Sequence, residues 1–174
     1  LETAFKQAED FLAKGDIATA RAIYVDIADM EPENARAYAG LVRCLIDEKK
    51  ITEAREKLAA APAAMAKDSA FDSVRAAIEL AEQAGQTPVE TEKLETALAQ
   101  NPADYETRFN LALAYYAAGR NEDAVDQLLD LVRRARTWND GAARKQLVKL
   151  FEAFGATNPL TIEARKRLSS ILFS

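Results

Sequence analysis

Histidine is absent from the 174-residue sequence, and cysteine occurs only once, as Cys44. The absence of histidine removes the commonest general base and the commonest metal ligand of proteins. A single cysteine excludes an internal disulfide and a thiolate metal cluster, so we interpret Cys44 as a small, inert core residue in a reducing compartment. We therefore expect neither an enzyme nor a bound metal or other cofactor.

Chain-breaking residues and aromatic rings are also scarce, with six glycines, five prolines and 7% aromatic residues. Alanine and other good helix formers are abundant, and this composition predicts an almost wholly helical chain. No apolar run reaches the roughly 18 residues that suggest a membrane span, and no signal peptide is visible. We therefore expect a cytoplasmic protein without a membrane partner. Because the sequence opens at Leu1 rather than Met, we also expect a piece of a longer chain.

The charge is unevenly distributed along the chain. The whole chain has a net charge of −5, but the residues from 131 onward carry nine Lys or Arg and only three Asp or Glu. Two interpretations are open: a solvated basic end, or a docking surface for an acidic partner. Nucleic acid is not an expected partner, because the chain is acidic overall and its bases are not interleaved with exposed aromatic residues.

Small and large side chains recur at fixed spacings, which suggests an internal repeat. The first copy carries Gly15, Ala20, Tyr24 and Pro32, and later copies carry Gly119, Ala124 and Leu128, together with Pro102. These residues resemble the signature of the tetratricopeptide repeat, a helix–turn–helix unit of about 34 residues. The resemblance implies an all-α solenoid of about ten helices in five hairpins.

The repeat register divides residues 1–138 into four units, 1–34, 35–68, 71–104 and 105–138, followed by a C-terminal capping hairpin over 139–174. It predicts helices near 2–14, 17–30, 35–48, 51–61, 70–84, 89–100, 104–118 and 121–136, with an irregular joint at 61–71. Gly15, Gly85 and Gly119 are predicted to form tight turns. In the capping hairpin, Asn139 or Asp140 is the predicted N-cap of a helix that runs to Phe154 and ends at Gly155. Asn158 and Pro159 are predicted to start the last helix.

A more specific resemblance lies in the C-terminal segment 128–174, "LLDLVRRARTWNDGAARKQLVKLFEAFGATNPLTIEARKRLSSILFS". This segment resembles the end of the chaperedoxins, bacterial co-chaperones that join a thioredoxin fold to a helical repeat domain. The resemblance implies a chaperone that has a role in cell redox homeostasis, holds unfolded client proteins and docks on a GroEL-type chaperonin through its C-terminal helix. The sequence has no Cys-x-x-Cys motif and no βαβ pattern, so the thioredoxin half is not among these residues.

Two surfaces are candidate binding sites. In a tetratricopeptide fold the first helix of each hairpin lines a concave groove, and an extended apolar client segment would suit the apolar side chains there. The candidate groove residues are Phe5, Glu9, Leu12, Arg43, Arg75, Phe109, Leu113 and Tyr116. The alternative is that these residues pack within the chain's own superhelix.

The second candidate surface belongs to the last helix. A helical wheel places Leu160, Ala164, Leu168, Ile171 and Leu172 on one stripe, which predicts that they cover the preceding hairpin. A second patch points away from that stripe, and we interpret it as the docking contact for a larger partner. It consists of Ile162, Arg165, Lys166, Ser169 and Phe173. A different class of function also stays open, in which the chain is a generic scaffold for one fixed partner peptide.

Overall fold

The computed structural model describes residues 1–85 and 90–174, and the described residues form ten α-helices. The helices are α1 (Glu2–Ala13), α2 (Ile17–Met30), α3 (Ala35–Asp47), α4 (Ile51–Ala59), α5 (Ala70–Gly85), α6 (Thr91–Gln100), α7 (Tyr105–Ala117), α8 (Asn121–Arg134), α9 (Ala142–Phe154) and α10 (Pro159–Leu172). The predicted all-α tetratricopeptide-type fold is confirmed. The predicted start of the sixth helix at residue 89 lies outside the described residues.

The chain divides into two compact units, Leu1–Ile78 and Glu79–Ser174, and the boundary falls within α5. In the first unit, α1 packs on α2, α2 on α3 and α3 on α4. One core cluster of this unit is formed by side chains from the first three helices: Phe5, Ala8, Ala20, Tyr24, Ile27, Ala37 and Cys44. Ala20 is fully buried, as expected for a position where two helices lie close together.

In the second unit, α7 packs on α6 and on α8, while α9 and α10 both pack on α8. Leu128, Leu129, Leu147 and Leu150 are almost completely buried and form the apolar interior of this unit. Ala124 is also fully buried, like Ala20 in the first unit. The division of the chain into 1–34, 35–68, 71–104, 105–138 and 139–174 stays a prediction.

Three hairpins turn in the same way. The amide of Gly15 donates to the carbonyl of Leu12 (3.0 Å) and the next amide donates to Phe11 (2.9 Å); the turns at Lys49 and Gly119 repeat both hydrogen bonds. All three turn residues have a positive φ, of 80°, 66° and 77°. A glycine is expected at such a position because it has no Cβ, but the turn after α3 carries Lys49 instead.

Polar side chains fix the starts of several helices. Asp16 accepts hydrogen bonds from the amide and the hydroxyl of Thr19, and Asp104 forms the same pair of bonds with Thr107. These bonds satisfy amides that have no partner within the helix. The side chain of Asn158 accepts from the amide of Leu160 (2.9 Å), which confirms the predicted start of α10.

Gly85 is the last described residue of α5 and its φ is not in the left-handed region; the turn predicted to follow it lies outside the described residues. One local prediction is wrong. Neither Asn139 nor Asp140 is the N-cap of α9: both belong to a short turn, Trp138–Gly141, and the cap is Gly141. The predicted ends of α9 at Phe154 and Gly155 are confirmed.

Candidate protein-binding surfaces

The groove side of the first unit is closed by its own side chains. Phe5 is buried; its ring lies 6.4 Å from that of Tyr24, and the guanidinium of Arg36 stacks 4.2 Å above it. The same guanidinium donates to the carboxylates of Glu2 and Glu9, each at 2.8 Å. The ring of Phe5 is therefore covered by a cation that is held by two acids from α1.

The other groove candidates of this unit are also engaged within the chain. Leu12 is half-buried and packs against the core cluster of the unit. Arg43 lies 3.4 Å from Asp47, and Arg75 donates to Asp72 (3.2 Å) and to the carbonyl of Ala66 (2.6 Å). The charges on this side are thus paired with one another.

Two of the three groove candidates of the second unit contact aromatic rings. Phe109 is half-buried beneath Trp138, with ring centroids 5.7 Å apart and planes inclined by 50°. Tyr116 faces Phe154 at 6.3 Å, and Leu113 is buried. These side chains therefore have contacts within the chain, and their part in a binding groove stays a prediction.

The turn that contains Trp138, residues Trp138–Gly141, has an unusual backbone conformation. Asn139, Asp140 and Gly141 have φ values of 45°, 57° and 73°, so three consecutive residues adopt the left-handed conformation. Residues other than glycine rarely adopt this conformation, and then almost always as single residues; Asn and Asp tolerate it best. Asp140 is bound on its outer side by Lys145, at 3.0 Å. The sequence predicted a helix N-cap at Asn139 or Asp140 in place of this turn, and it did not predict the contact of Trp138 with Phe109.

The last helix has one buried face and one exposed face. Thr161, Ala164 and Leu168 are buried, and Ile171 and Leu172 are half-buried. On the other side, Phe173 is 85% exposed and Ile162 is 45% exposed. The exposed patch of α10, which we call the α10 patch, consists of Ile162, Arg165, Lys166, Ser169 and Phe173, and all five are exposed.

Contacts with α8 and with the segment after it fix the orientation of α10. Arg167 donates to Asp126 at 2.6 Å, and Arg136 donates to the carbonyls of Ile171 and Leu172 at the end of the helix. A cation at a helix C-terminus also interacts favourably with the helix dipole. Arg136, which sequence reasoning did not single out, therefore fixes the end of the helix beside Phe173.

The cations of the α10 patch differ from most others in the chain. Arg165 stacks 5.6 Å from the ring of Phe151, and neither Arg165 nor Lys166 makes an ion pair with any residue that the structure describes. By contrast, Arg120, Arg134 and Lys149 each lie within 4 Å of a carboxylate. The patch thus combines apolar side chains with positive charge that no carboxylate of the described chain neutralises.

A buried ion pair lies inside the second unit and was not foreseen. Arg108 is 6% exposed and donates to Asp130 (2.7 Å), Gln127 (2.9 Å) and the carbonyl of Pro102 (3.1 Å). Burial alone would raise the pKa of Asp130, but hydrogen bonds from Arg133 and Arg134 lower it. This network ties α7 to α8 and is structural.

The remaining chemistry of the described residues is sparse. Cys44 is fully buried, and burial raises the pKa of its thiol to about 11, so the reactive thiolate is suppressed at neutral pH. Across residues 1–85 and 90–174, no group of three or more Cys, Asp or Glu side chains is arranged to hold a metal ion. None of the described helices combines the length and apolar character that crossing a membrane requires.

Comparisons with known proteins identify the repeats. Two family models, both described as tetratricopeptide repeat, match residues 11–78 and 83–173. The chain belongs to the tetratricopeptide repeat family. Members of this family are generally protein–protein interaction scaffolds rather than catalysts.

Two individual proteins are similar over nearly the whole chain. An uncharacterized protein of Haemophilus influenzae (strain ATCC 51907 / DSM 11121 / KW20 / Rd) is 31% identical over 170 residues, which are 97% of this chain and 77% of that protein. A crystal structure of a domain of protein VP0806 from Vibrio parahaemolyticus RIMD 2210633, of unknown function, is 29% identical. It covers 99% of this chain and 100% of the other, with a TM-score of 0.48.

Proposed function

We propose that this tetratricopeptide domain is the protein-binding part of a chaperedoxin-type co-chaperone in the bacterial cytoplasm. It would hold unfolded client proteins and dock on a GroEL-type chaperonin through the α10 patch. The observation that carries the proposal is the 85% exposure of Phe173, at the end of a helix whose other face is buried. The resemblance of segment 128–174 to the chaperedoxins supports the choice of partner.

The chemistry of the patch suits an acidic, partly apolar partner surface. A large exposed ring can be fully desolvated in a partner's pocket, and such aromatic anchors carry a large share of the energy of many interfaces. The cations of the α10 patch, Arg165 and Lys166, would accelerate the approach of a negatively charged surface. The redox activity that the resemblance implies would belong to a thioredoxin fold outside these residues, because Cys44 is buried.

Substitutions in the patch test the docking step. Phe173→Ala should weaken binding to purified chaperonin about tenfold or more, as loss of an interface anchor does. The thermal midpoint should change little, because the side chain is exposed. Val25→Ala, which removes another exposed apolar side chain in the first unit, is the matched control and should leave binding unchanged. The measurement is a titration of labelled chain with chaperonin, with a thermal melt of each variant.

Reversing one charge of the α10 patch is an independent test of the same interface. Lys166→Glu should slow association at low salt and flatten its dependence on ionic strength, because the steering charge is reversed. If Phe173→Ala binds the chaperonin as tightly as the parent chain, the patch is not the docking contact.

The alternative is a scaffold for one fixed partner peptide. Several unrelated unfolded proteins that compete for one site would favour the co-chaperone. A chain that captures none of them and binds a single native sequence saturably would favour the scaffold.

A further inference from the structure

One groove residue in the second unit is covered by a segment that does not belong to the repeat helices. Phe109 lies on α7, on the side that the repeat register assigns to the groove, and the indole of Trp138 lies 5.7 Å from its ring. Both side chains are half-buried, so the edges of the pair are open to water. Phe109 therefore forms a contact site for an aromatic ring, which we call the seat, and Trp138 of the same chain occupies it.

The segment that supplies the indole is held in a costly conformation. Asn139 and Asp140 are consecutive non-glycine residues with positive φ, directly after Trp138. Backbone in this region persists only where surrounding contacts determine it. The described contacts of this turn are the Trp138–Phe109 pair, the ion pair between Asp140 and Lys145, and two backbone hydrogen bonds. The amide of Trp138 donates to the carbonyl of Ala135 (3.2 Å), and the amide of Ala142 donates to the carbonyl of Asn139. If Trp138 moved away from Phe109, the chain would lose the contact between the two rings, but the backbone strain of the turn would be released.

We propose that Trp138 is an internal competitor for the seat on Phe109, displaced when an aromatic side chain of a client takes its place. The inference rests on the proposed binding of unfolded clients, and it names both the site and the chemistry recognised. Unfolded proteins expose the aromatic side chains that native proteins bury. When no client is present, Trp138 keeps the ring of Phe109 from being exposed, and it lowers the apparent affinity by the same factor for every ligand of this site.

The indole itself reports on the seat, because Trp138 is the only tryptophan of the chain. The probe is a short synthetic peptide with a central phenylalanine flanked by glycine and serine; its control has serine in place of the phenylalanine. The phenylalanine peptide should shift the tryptophan emission of the chain to longer wavelength, saturably, as the indole moves into water. The serine peptide should not shift it.

Two variants move the competition in opposite directions. Trp138→Ala empties the seat and should bind a fluorophore-labelled phenylalanine peptide about three- to tenfold more tightly. The double variant Asn139→Gly, Asp140→Gly removes both strained side chains from the turn, so it favours the filled seat and should bind about three- to tenfold more weakly. Trp138→Phe keeps a ring in the seat and should bind like the parent chain. Circular dichroism and thermal melts establish that each variant is folded.

The outcomes separate this inference from the proposed function. If the parent chain binds unfolded proteins while Trp138→Ala binds the peptide no more tightly and the emission stays constant, the seat is not the client site and the competition is wrong. Weaker binding by Trp138→Ala would mean that the indole is part of the binding surface, which also overturns the proposal. If neither unfolded proteins nor the peptide bind the parent chain or Trp138→Ala, client binding itself fails. Should Trp138→Ala not fold, the glycine double variant and the emission shift still decide the matter.

Discussion

Lys49 stands where the equivalent turns of two other hairpins have glycine. Its φ of 66° is close to the values of Gly15 and Gly119, and both turn hydrogen bonds are retained. A side chain in this conformation brings its Cβ close to the following carbonyl oxygen. Lys49 is exposed, and an electrostatic attraction to Asp47 is the one described interaction of its side chain that offsets that cost.

Lys49→Gly should therefore stabilise the chain by up to about 1 kcal/mol, since relief of the left-handed strain outweighs the entropy cost of glycine. Lys14→Gly is the matched control, because Lys14 immediately precedes the turn glycine of the first hairpin and has an ordinary φ of −86°. That control should destabilise the chain by about 0.5–1 kcal/mol. Urea unfolding of both variants gives the comparison, and destabilisation by Lys49→Gly would contradict the turn assignment.

Gly40 shows a steric requirement of a different kind. It lies within α3, where glycine is unfavourable, but its Cα side faces the ring of Tyr24 on α2. A Cβ at this position would lie 2.4 Å from two carbons of that ring, closer than any contact between carbon atoms allows. Tyr24 is 4% exposed and belongs to the core of the first unit, so its ring has little room to move.

Gly40→Ala should destabilise the chain by about 1–3 kcal/mol, although alanine is the better helix former. Gly85→Ala is the control: Gly85 ends α5 and a Cβ there would meet no heavy atom within 4 Å. The control should be neutral or stabilising by up to about 1 kcal/mol. Thermal melts distinguish the two, and equal midpoints would mean that α2 and α3 are farther apart than described.

At the scale of a single element, α10 separates side chains for folding from side chains for contact. Leu168→Ala removes a side chain that is 8% exposed and should destabilise the chain by about 2–5 kcal/mol. Ser170→Ala, on an exposed position of the same helix, should change the free energy of unfolding by less than about 0.5 kcal/mol. Chemical denaturation measures both, and a small effect of Leu168→Ala would mean that α10 is not packed on its neighbours.

Much of the element pattern follows from local sequence. The periodic alanines and leucines, with Pro32 and Pro102 as stops, predicted the described helices to within about two residues, because capping and helix breaking are local effects. The helical wheel of α10 separated Leu168 from Phe173 for the same reason. What could not be predicted depends on contacts between distant residues.

Two examples show why. The repeat register placed Phe5 on the groove side, but Arg36, thirty-one positions later, covers it through its bonds to Glu2 and Glu9. The expected N-cap at Asn139 or Asp140 failed because a left-handed turn directs Trp138 toward Phe109. Neither contact has a signal in the local pattern of the sequence.

At the scale of the whole molecule, the absence of histidine determines the response to pH. Hydrogen bonds lower the pKa values of Asp16, Glu48 and Asp104, so the stability from these groups is present above the unfolded pKa and is lost as pH falls. Burial raises the pKa of Cys44 from 9.0 to about 11. The stability that the protonated Cys44 thiol contributes is fully present below the thiol pKa of the unfolded chain. It is lost as pH rises toward the thiol pKa of the folded chain.

We therefore expect a thermal midpoint that is constant between about pH 5 and 8 and that declines above about pH 9. Cys44→Ala should shift the whole curve downward by loss of packing but should remove the first part of the alkaline decline, between about pH 9 and 10. Above that range Tyr24 and Tyr115, whose pKa values burial raises to about 12, continue the decline. An unchanged slope in Cys44→Ala would mean that the thiol ionises as readily in the folded state as in the unfolded state.

Within each unit, most of the described helix–helix contacts join neighbours in sequence. The exception is α10, which packs mainly on α8, two helices earlier in the chain. This has a kinetic consequence. Local contacts require only short loops to close, and chains dominated by them fold in microseconds to milliseconds. During synthesis a helix can pack on its neighbour as soon as that neighbour has emerged from the ribosome. Little apolar surface of the nascent chain is therefore exposed to water. The face of α8 that receives α10 is the last to be covered, and we expect nascent chains that lack α10 to be the most prone to aggregation.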